Sequence, residues 1–280
     1  MSSYARGFVL VLAAAIVWSS GGLIVRSVTA DSWTIVFWRS ISCAGFLLLY
    51  LWISERRLPL HLFRAAGWPA VTVGACFALS SITFILSLGL TSVANALMTQ
   101  SLAPIIAGLL ARVILKESID RRTWIAIVVA ICGIAVMLGR VPSGDDLLGT
   151  VLAVVSAFAY SGTIITVRSQ RDVPMVPGAF FAATFATLVA LPLAPTLSLA
   201  DGELPLLIFF GAGQLGVGMA LFTTGARFLP AAVSSLISLV ETALGPLWVW
   251  LAYGENPGPW VLGGAIVVSA LVVHTVMARR

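Results

Sequence analysis

The side chains able to do chemistry in this sequence lie inside apolar stretches. Glu241 sits in the middle of residues 234–254, SSLISLVETALGPLWVWLAYG. A charged, unpaired carboxylate at bilayer depth costs ~2.5–3.5 kcal/mol or more, so Glu241 needs a partner, a water-filled cavity or a proton. It either couples to protons or meets a ligand ammonium, or it is a neutral acid hydrogen-bonded to a neighbouring helix, holding two helices in register. Arg39, in the apolar run 33–53, could pair with Asp31 or Glu55, or face a cavity and attract a carboxylate. Gln100 and Gln214 are mid-span amides and need a partner or water. Around Gln100 lie Ser80, Ser81, Thr83 and Phe84, then Asn95, Met98, Thr99 and Ser101. Hydroxyls alone mean little, because Ser and Thr can bond to their own helix, but together these residues form the most polar surface of the first half. Trp18 and Tyr160 sit too deep to be interfacial anchors. They either pack helices or line a cavity and stack on an apolar ligand.

Other chemistries are absent from the pattern. Cys43, Cys76 and Cys132 are odd in number and their spacing suits neither zinc nor a disulfide framework. His61 and His274 are far apart. No metal, cofactor or catalytic residue is expected. Gly211-Ala-Gly213-Gln214-Leu-Gly216 matches GxGxxG, but a nucleotide site needs a strand before it. Inside a spanning helix such small residues instead permit close approach. There is no Walker A, HExxH or GxSxG motif, and Glu241 has no evident carboxylate partner, which argues against an enzyme.

These residues must be held by membrane helices. The 280 residues are 60% hydrophobic and 10% charged, with mean hydropathy +1.05, whereas soluble domains carry about 25% charged residues. A spanning helix takes ~20 apolar residues. That length gives ten spans: 7–27, 33–53, 68–88, 93–115, 122–139, 147–167, 175–195, 204–224, 231–253 and 258–277. Long continuous runs exclude an outer-membrane barrel. The pI near 9.6 reflects basic residues between spans rather than nucleic-acid binding. With the N-terminus inside, twelve of the sixteen Lys and Arg fall in inner loops (Arg6, Arg56, Arg57, Arg64, Lys116, Arg121, Arg122, Arg168, Arg171, Arg227, Arg279, Arg280). The outer loops hold Arg26 and Arg140, with Asp31, Asp145, Asp146, Asp201, Glu203 and Glu255. By the positive-inside rule both termini are cytoplasmic.

The two halves match. Gly7, Trp18-Ser19 and Arg26 recur as Gly149, Tyr160-Ser161 and Arg168 at an offset of 142 (149 − 7, 160 − 18, 168 − 26). Glu117 and Glu255 each close a helix, which sets Ala103-Pro104 over Glu241-Thr242. Residues 1–140 and 141–280 are therefore read as five-helix repeats. Five being odd, they insert with opposite orientation. Inverted repeats are the signature of secondary transporters, whose substrate site lies near the midplane between them.

The Trp18-Ser19 and Arg26 pattern, Arg39, Pro104 ahead of Lys116-Glu117, Glu241-Thr242 and Gly254-Glu255 resemble the drug/metabolite transporter superfamily and its EamA-type exporters over nearly the whole chain. Among these the chain is most similar to YddG-type amino-acid exporters, whose substrates are aromatic. Thr242 stands where that family often has Pro, so a kink is transferred instead to Gly245-Pro246. The resemblance implies an all-α bundle of ten transmembrane helices around a central cavity, in a bacterial inner membrane, exporting small metabolites. Amino acids including aromatic ones head the expectation. Sugar-phosphate or nucleotide-sugar carriage is the alternative within the fold, and a membrane enzyme or scaffold the alternative outside it. The expected cavity residues are Trp18, Ser80, Ser81, Phe84, Met98, Gln100, Tyr160, Gln214 and Glu241, with Arg39 for substrate or ion pairing. The expected partners are a small-molecule substrate and the lipid bilayer, with no nucleic acid.

Overall fold

The computed structural model describes residues 2–56, 59–91, 93–138, 147–253 and 266. Every regular element among them is a helix, as backbone immersed in lipid requires. In chain order these are α1, Ser3–Val25; α2, Ser32–Glu55; α3, Leu60–Leu90; α4 in two pieces, Val93–Gln100 and Ala103–Leu115; α5, Arg121–Leu138; α6, Leu147–Ser169; α7, Val176–Ala190; α8, Glu203–Phe228; and α9, Ala231–Tyr253. Six of them, α1, α2, α3, α6, α8 and α9, are long and apolar enough to cross a membrane. The expected tenth span, 258–277, lies outside the described residues, as do Arg140, Asp145, Asp146, Glu255 and His274.

Local chemistry sets the ends. The Ser2 hydroxyl accepts from Ala5 N at 3.2 Å to start α1, and Asp31 accepts from Trp33 N at 2.9 Å and Thr34 N at 3.2 Å to start α2. Such caps replace backbone partners missing in the first turn. α3 begins earlier than the expected 68 because a turn from Leu60 leads into a kink at Gly67, whose φ of +50° suits a residue without Cβ. α7 stops at Ala190 rather than 195. Leu191 still has helical geometry, but Pro192 and Pro195 have no N–H to carry the hydrogen-bond ladder further. α9 runs unbroken through Thr242 and Gly245, so no interruption stands at either position where a kink was considered.

The helices cross between the two halves of the chain: α1 lies against α8 and α9, α6 against α3 and α4, and α2 against α7 and α8. Glycines allow the closest crossings. A Cβ on Gly211 would fall 2.2 Å from the Arg39 carbonyl, and one on Gly216 would fall 2.6 Å from the Phe46 ring. The GxGxxG stretch thus seats α8 on α2. It does so in a wide π turn, Phe209–Gly216. Cys43 is fully buried, Cys76 half-buried and Cys132 exposed, so only Cys43 is a core packing residue. We call the end of the bundle where α1 begins the basal end.

Candidate functional site

Two helices lose their regular course at the centre of the bundle. α1 is interrupted at Ser19-Ser20, where both hydroxyls turn back on the helix: Ser19 Oγ donates to Ile16 O at 2.6 Å and Ser20 Oγ to Val17 O at 2.9 Å. At this break the Trp18 carbonyl accepts from Gln214 Nε2 at 2.7 Å, and Trp248 Nε1 donates to Ser19 Oγ at 2.7 Å. α4 breaks at Ser101-Leu102, just before Pro104, which has no N–H to offer the ladder. Discontinuous helices are where carriers place their substrate contacts.

Between the breaks lies a cavity of about 100 Å³, walled by α1, α2, α3, α4, α6, α8 and α9. Both signs of charge face it. Arg39, 9% exposed, has its guanidinium 4.4 Å from the centre of the Phe210 ring, and its Nη1 donates to Ser81 Oγ at 3.3 Å. The two acids that could have taken Arg39 are engaged elsewhere: Asp31 caps α2, and Glu55 pairs with His61 at 3.0 Å. Glu241 faces the same cavity from α9, within electrostatic reach of Arg39. No ion pair closer than 4 Å holds Glu241 among the described residues, so it does not pin a neighbouring helix by such a bond.

Four lining residues bring buried polar atoms without a protein partner among the described residues: Trp18 Nε1, Arg39 Nε, Gln100 Oε1 and Ser235 Oγ. Each such atom costs about 1–3 kcal/mol if left unbonded. The residues that carry these atoms gather around one space.

Part of the wall is aromatic, lined by Trp18, Phe77 and Tyr160 with Phe222 packed against them. Trp18, Phe77, Tyr160 and Phe222 form a closed circuit with centroid spacings of 5.9 Å (Trp18–Phe77), 6.1 Å (Phe77–Tyr160), 5.6 Å (Tyr160–Phe222) and 5.3 Å (Phe222–Trp18). These are tilted and edge-on contacts, as ring quadrupoles prefer. The Trp18 indole occupies the space over Gly218, where a Cβ would stand 2.0 Å from Nε1. The Tyr160 hydroxyl hydrogen-bonds Ser238 Oγ at 2.7 Å.

Trp18, Arg39, Ser80, Ser81, Phe84, Gln100, Tyr160 and Glu241 thus converge on one cavity. Ser80 is partly spoken for, since its hydroxyl and carbonyl both engage Ser156, at 3.1 and 2.9 Å. Gln214 corrects the expectation. It is not among the lining residues: its Nε2 donates to the Trp18 carbonyl, and its Oε1 is buried without a protein partner among the described residues. The side chains of Met98 and Asn95 lie outside the described residues. Phe77, Ser235, Ser238 and Thr242 line the cavity and were not singled out from sequence. The last three share a face of α9 with Glu241, at steps of three and four residues, a period visible in residues 235–242.

A bundle of apolar helices around a polar cavity of mixed charge is an architecture suited to a multi-pass membrane transporter. The EamA-like transporter family model matches residues 5–139 and again 147–276, and the chain belongs to that family, part of the drug/metabolite transporter superfamily. It is 27% identical over 285 residues to the uncharacterized transporter YwfM of Bacillus subtilis (strain 168), covering 96% of this chain and 94% of that one. A solved crystal structure of a protein superposes with a TM-score of 0.85 at 19% identity, covering all of both chains, a likeness of fold.

Proposed function

We propose that this protein exports small zwitterions, foremost amino acids with apolar or aromatic side chains, across a bacterial inner membrane. The observation that carries the reading is the cavity itself. Arg39 offers a carboxylate contact, Glu241 offers an ammonium contact, and Trp18, Phe77, Phe84 and Tyr160 offer surface for the side chain. A sugar phosphate or nucleotide sugar would call for several cations. Among the described lining residues Arg39 is the one cation, and Glu241 opposes it.

Ten helices in two inverted five-helix repeats, 1–140 and 141–280, support alternating access by rocking of one repeat against the other. Two family matches of similar length favour that division. So does the helix pairing, in which α1 with α8 mirrors α6 with α3. The cavity is below the ~300–1,000 Å³ of ordinary ligand pockets, which suits a small solute and helices that part to admit it. The distribution of Lys and Arg puts the basal end and both termini in the cytoplasm.

Purified protein in liposomes loaded with a panel of labelled amino acids tests this. Saturable flux of amino acids, strongest for apolar and aromatic ones, is expected. No flux across the whole panel eliminates the reading.

A further inference from the structure

A second cavity, of about 230 Å³, opens at the basal end. Tyr4, Ala111, Glu117, Asp120, Ala232 and Val233 help to line it. It lies on the same α4–α9 seam as the central cavity, which is lined by Ala103 of α4 and Ser235 of α9. Ala103, Ala107 and Ala111 recur every four residues on one face of α4. From Ala103 to Ala111 is roughly 12 Å of helix. On α9 the two cavities are two residues apart, Val233 to Ser235. In sequence, Ala107 of α4 and Ser234 of α9 fall between the lining residues of the two cavities; both are fully buried, and the Ser234 hydroxyl has no protein partner among the described residues.

One carboxylate holds the basal end of this seam together. Lys116, at φ +55°, turns the chain sharply after α4 and presents Glu117 to the neighbouring helices. Glu117 Oε1 accepts from Arg168 Nε at 2.7 Å and from Arg171 Nη2 at 3.1 Å, and Oε2 accepts from Ala231 N at 3.5 Å. Arg168 Nη1 also donates to the Arg227 carbonyl at 2.8 Å. The side chains of Arg168 and Glu117 are only 10% and 16% exposed, so water screens the pair weakly. The ends of α4, α6 and α8 and the start of α9 all meet at this group.

We infer that the two cavities are successive chambers of one transport path along the α4–α9 seam, and that Glu117, bound to Arg168 and Arg171, is the latch keeping the seam shut. This rests on the central cavity being the substrate site. Parting α4 from α9 joins the chambers, and it requires Glu117 to release Ala231 N and Arg168 to let go of either Glu117 or the Arg227 carbonyl, which leads into α9. Release of these polar contacts sets how often the seam opens.

The test uses the full chain with Cys43, Cys76 and Cys132 replaced by alanine and a single Ala107→Cys, reconstituted in liposomes of known sidedness. A membrane-impermeant thiol reagent is applied to the basal face. Labelling should be slow with Glu117 present and about tenfold faster with Glu117→Gln, the shift expected from losing one charge-assisted hydrogen bond. Glu117→Arg with Arg168→Glu should return it towards the slow rate. An unchanged rate in Glu117→Gln overturns the latch. No labelling in any variant, with or without transported amino acid, overturns the path.

A second measurement does not depend on loosened variants. In the same cysteine-replaced background, Gly108→Cys on α4 with Ala232→Cys on α9, whose Cβ atoms would stand 3.8 Å apart, oxidised to a disulfide, should stop flux, and reductant should restore it. Undiminished flux after cross-linking overturns the path. Labelling that responds to Glu117→Gln in vesicles showing no amino-acid flux would refute the amino-acid reading and leave the path standing.

Discussion

In the proposed reading Arg39 and Glu241 divide the work of recognition, and substrate analogues can tell them apart. Arg39→Gln should weaken transport of an amino acid about ten- to a hundredfold, the worth of a charged hydrogen bond, while sparing the amine that lacks the carboxylate. Glu241→Gln should do the reverse and spare the carboxylic acid that lacks the ammonium. Competition assays with such pairs read both outcomes, and equal losses for every analogue would show that neither residue touches substrate. Tyr160→Phe removes only the bond to Ser238 and keeps the ring. Thermal unfolding should report a loss of about 0.5–1.5 kcal/mol, with flux retained.

At the scale of helices, close crossings matter more than polar contacts. Gly211→Ala puts a methyl 2.2 Å from a backbone carbonyl of α2, which cannot give way, whereas at Gly213 the nearest atoms, 2.9 Å away, belong to the Phe209 ring of its own helix. Gly211→Ala should therefore destabilise by about 1–3 kcal/mol and Gly213→Ala by clearly less, as measured by detergent-solubilised melting. Gly218→Ala displaces the Trp18 indole and should cost flux more than stability. The helices α1 to α9 were legible as runs of apolar residues, six of them long and apolar enough to cross a membrane, and Glu241, Arg39 and Gln100 as polar residues inside such runs. Ser235 and Ser238 were less so, because a serine on a spanning helix can bond its own backbone and a single letter does not say which way it faces. Gln214 misled for a related reason. A mid-span amide needs some partner, and the break in α1 supplied the Trp18 carbonyl. That break had a trace in Ser19-Ser20-Gly21-Gly22, whereas the π turn of α8 has no letter pattern that would announce it.

For the whole molecule, sidedness is the first thing to check. Alkaline phosphatase inserted beside Asp201, on the loop before α8, should be active outside the cytoplasm, and the same enzyme inserted beside Arg171 should be inactive. The reverse pattern would invert the direction assigned to both chambers. The aromatic circuit has a different consequence. Its rings come one each from α1, α3, α6 and α8, the helices that the proposed repeat relation exchanges in pairs. A point on a two-fold axis is the place that such an exchange leaves still. The contacts among the four rings are smooth faces and edges that can tilt without breaking a directional bond. In mechanical terms, under the rocking proposed above, the circuit would be a bearing on which the two halves turn and which both of their positions share.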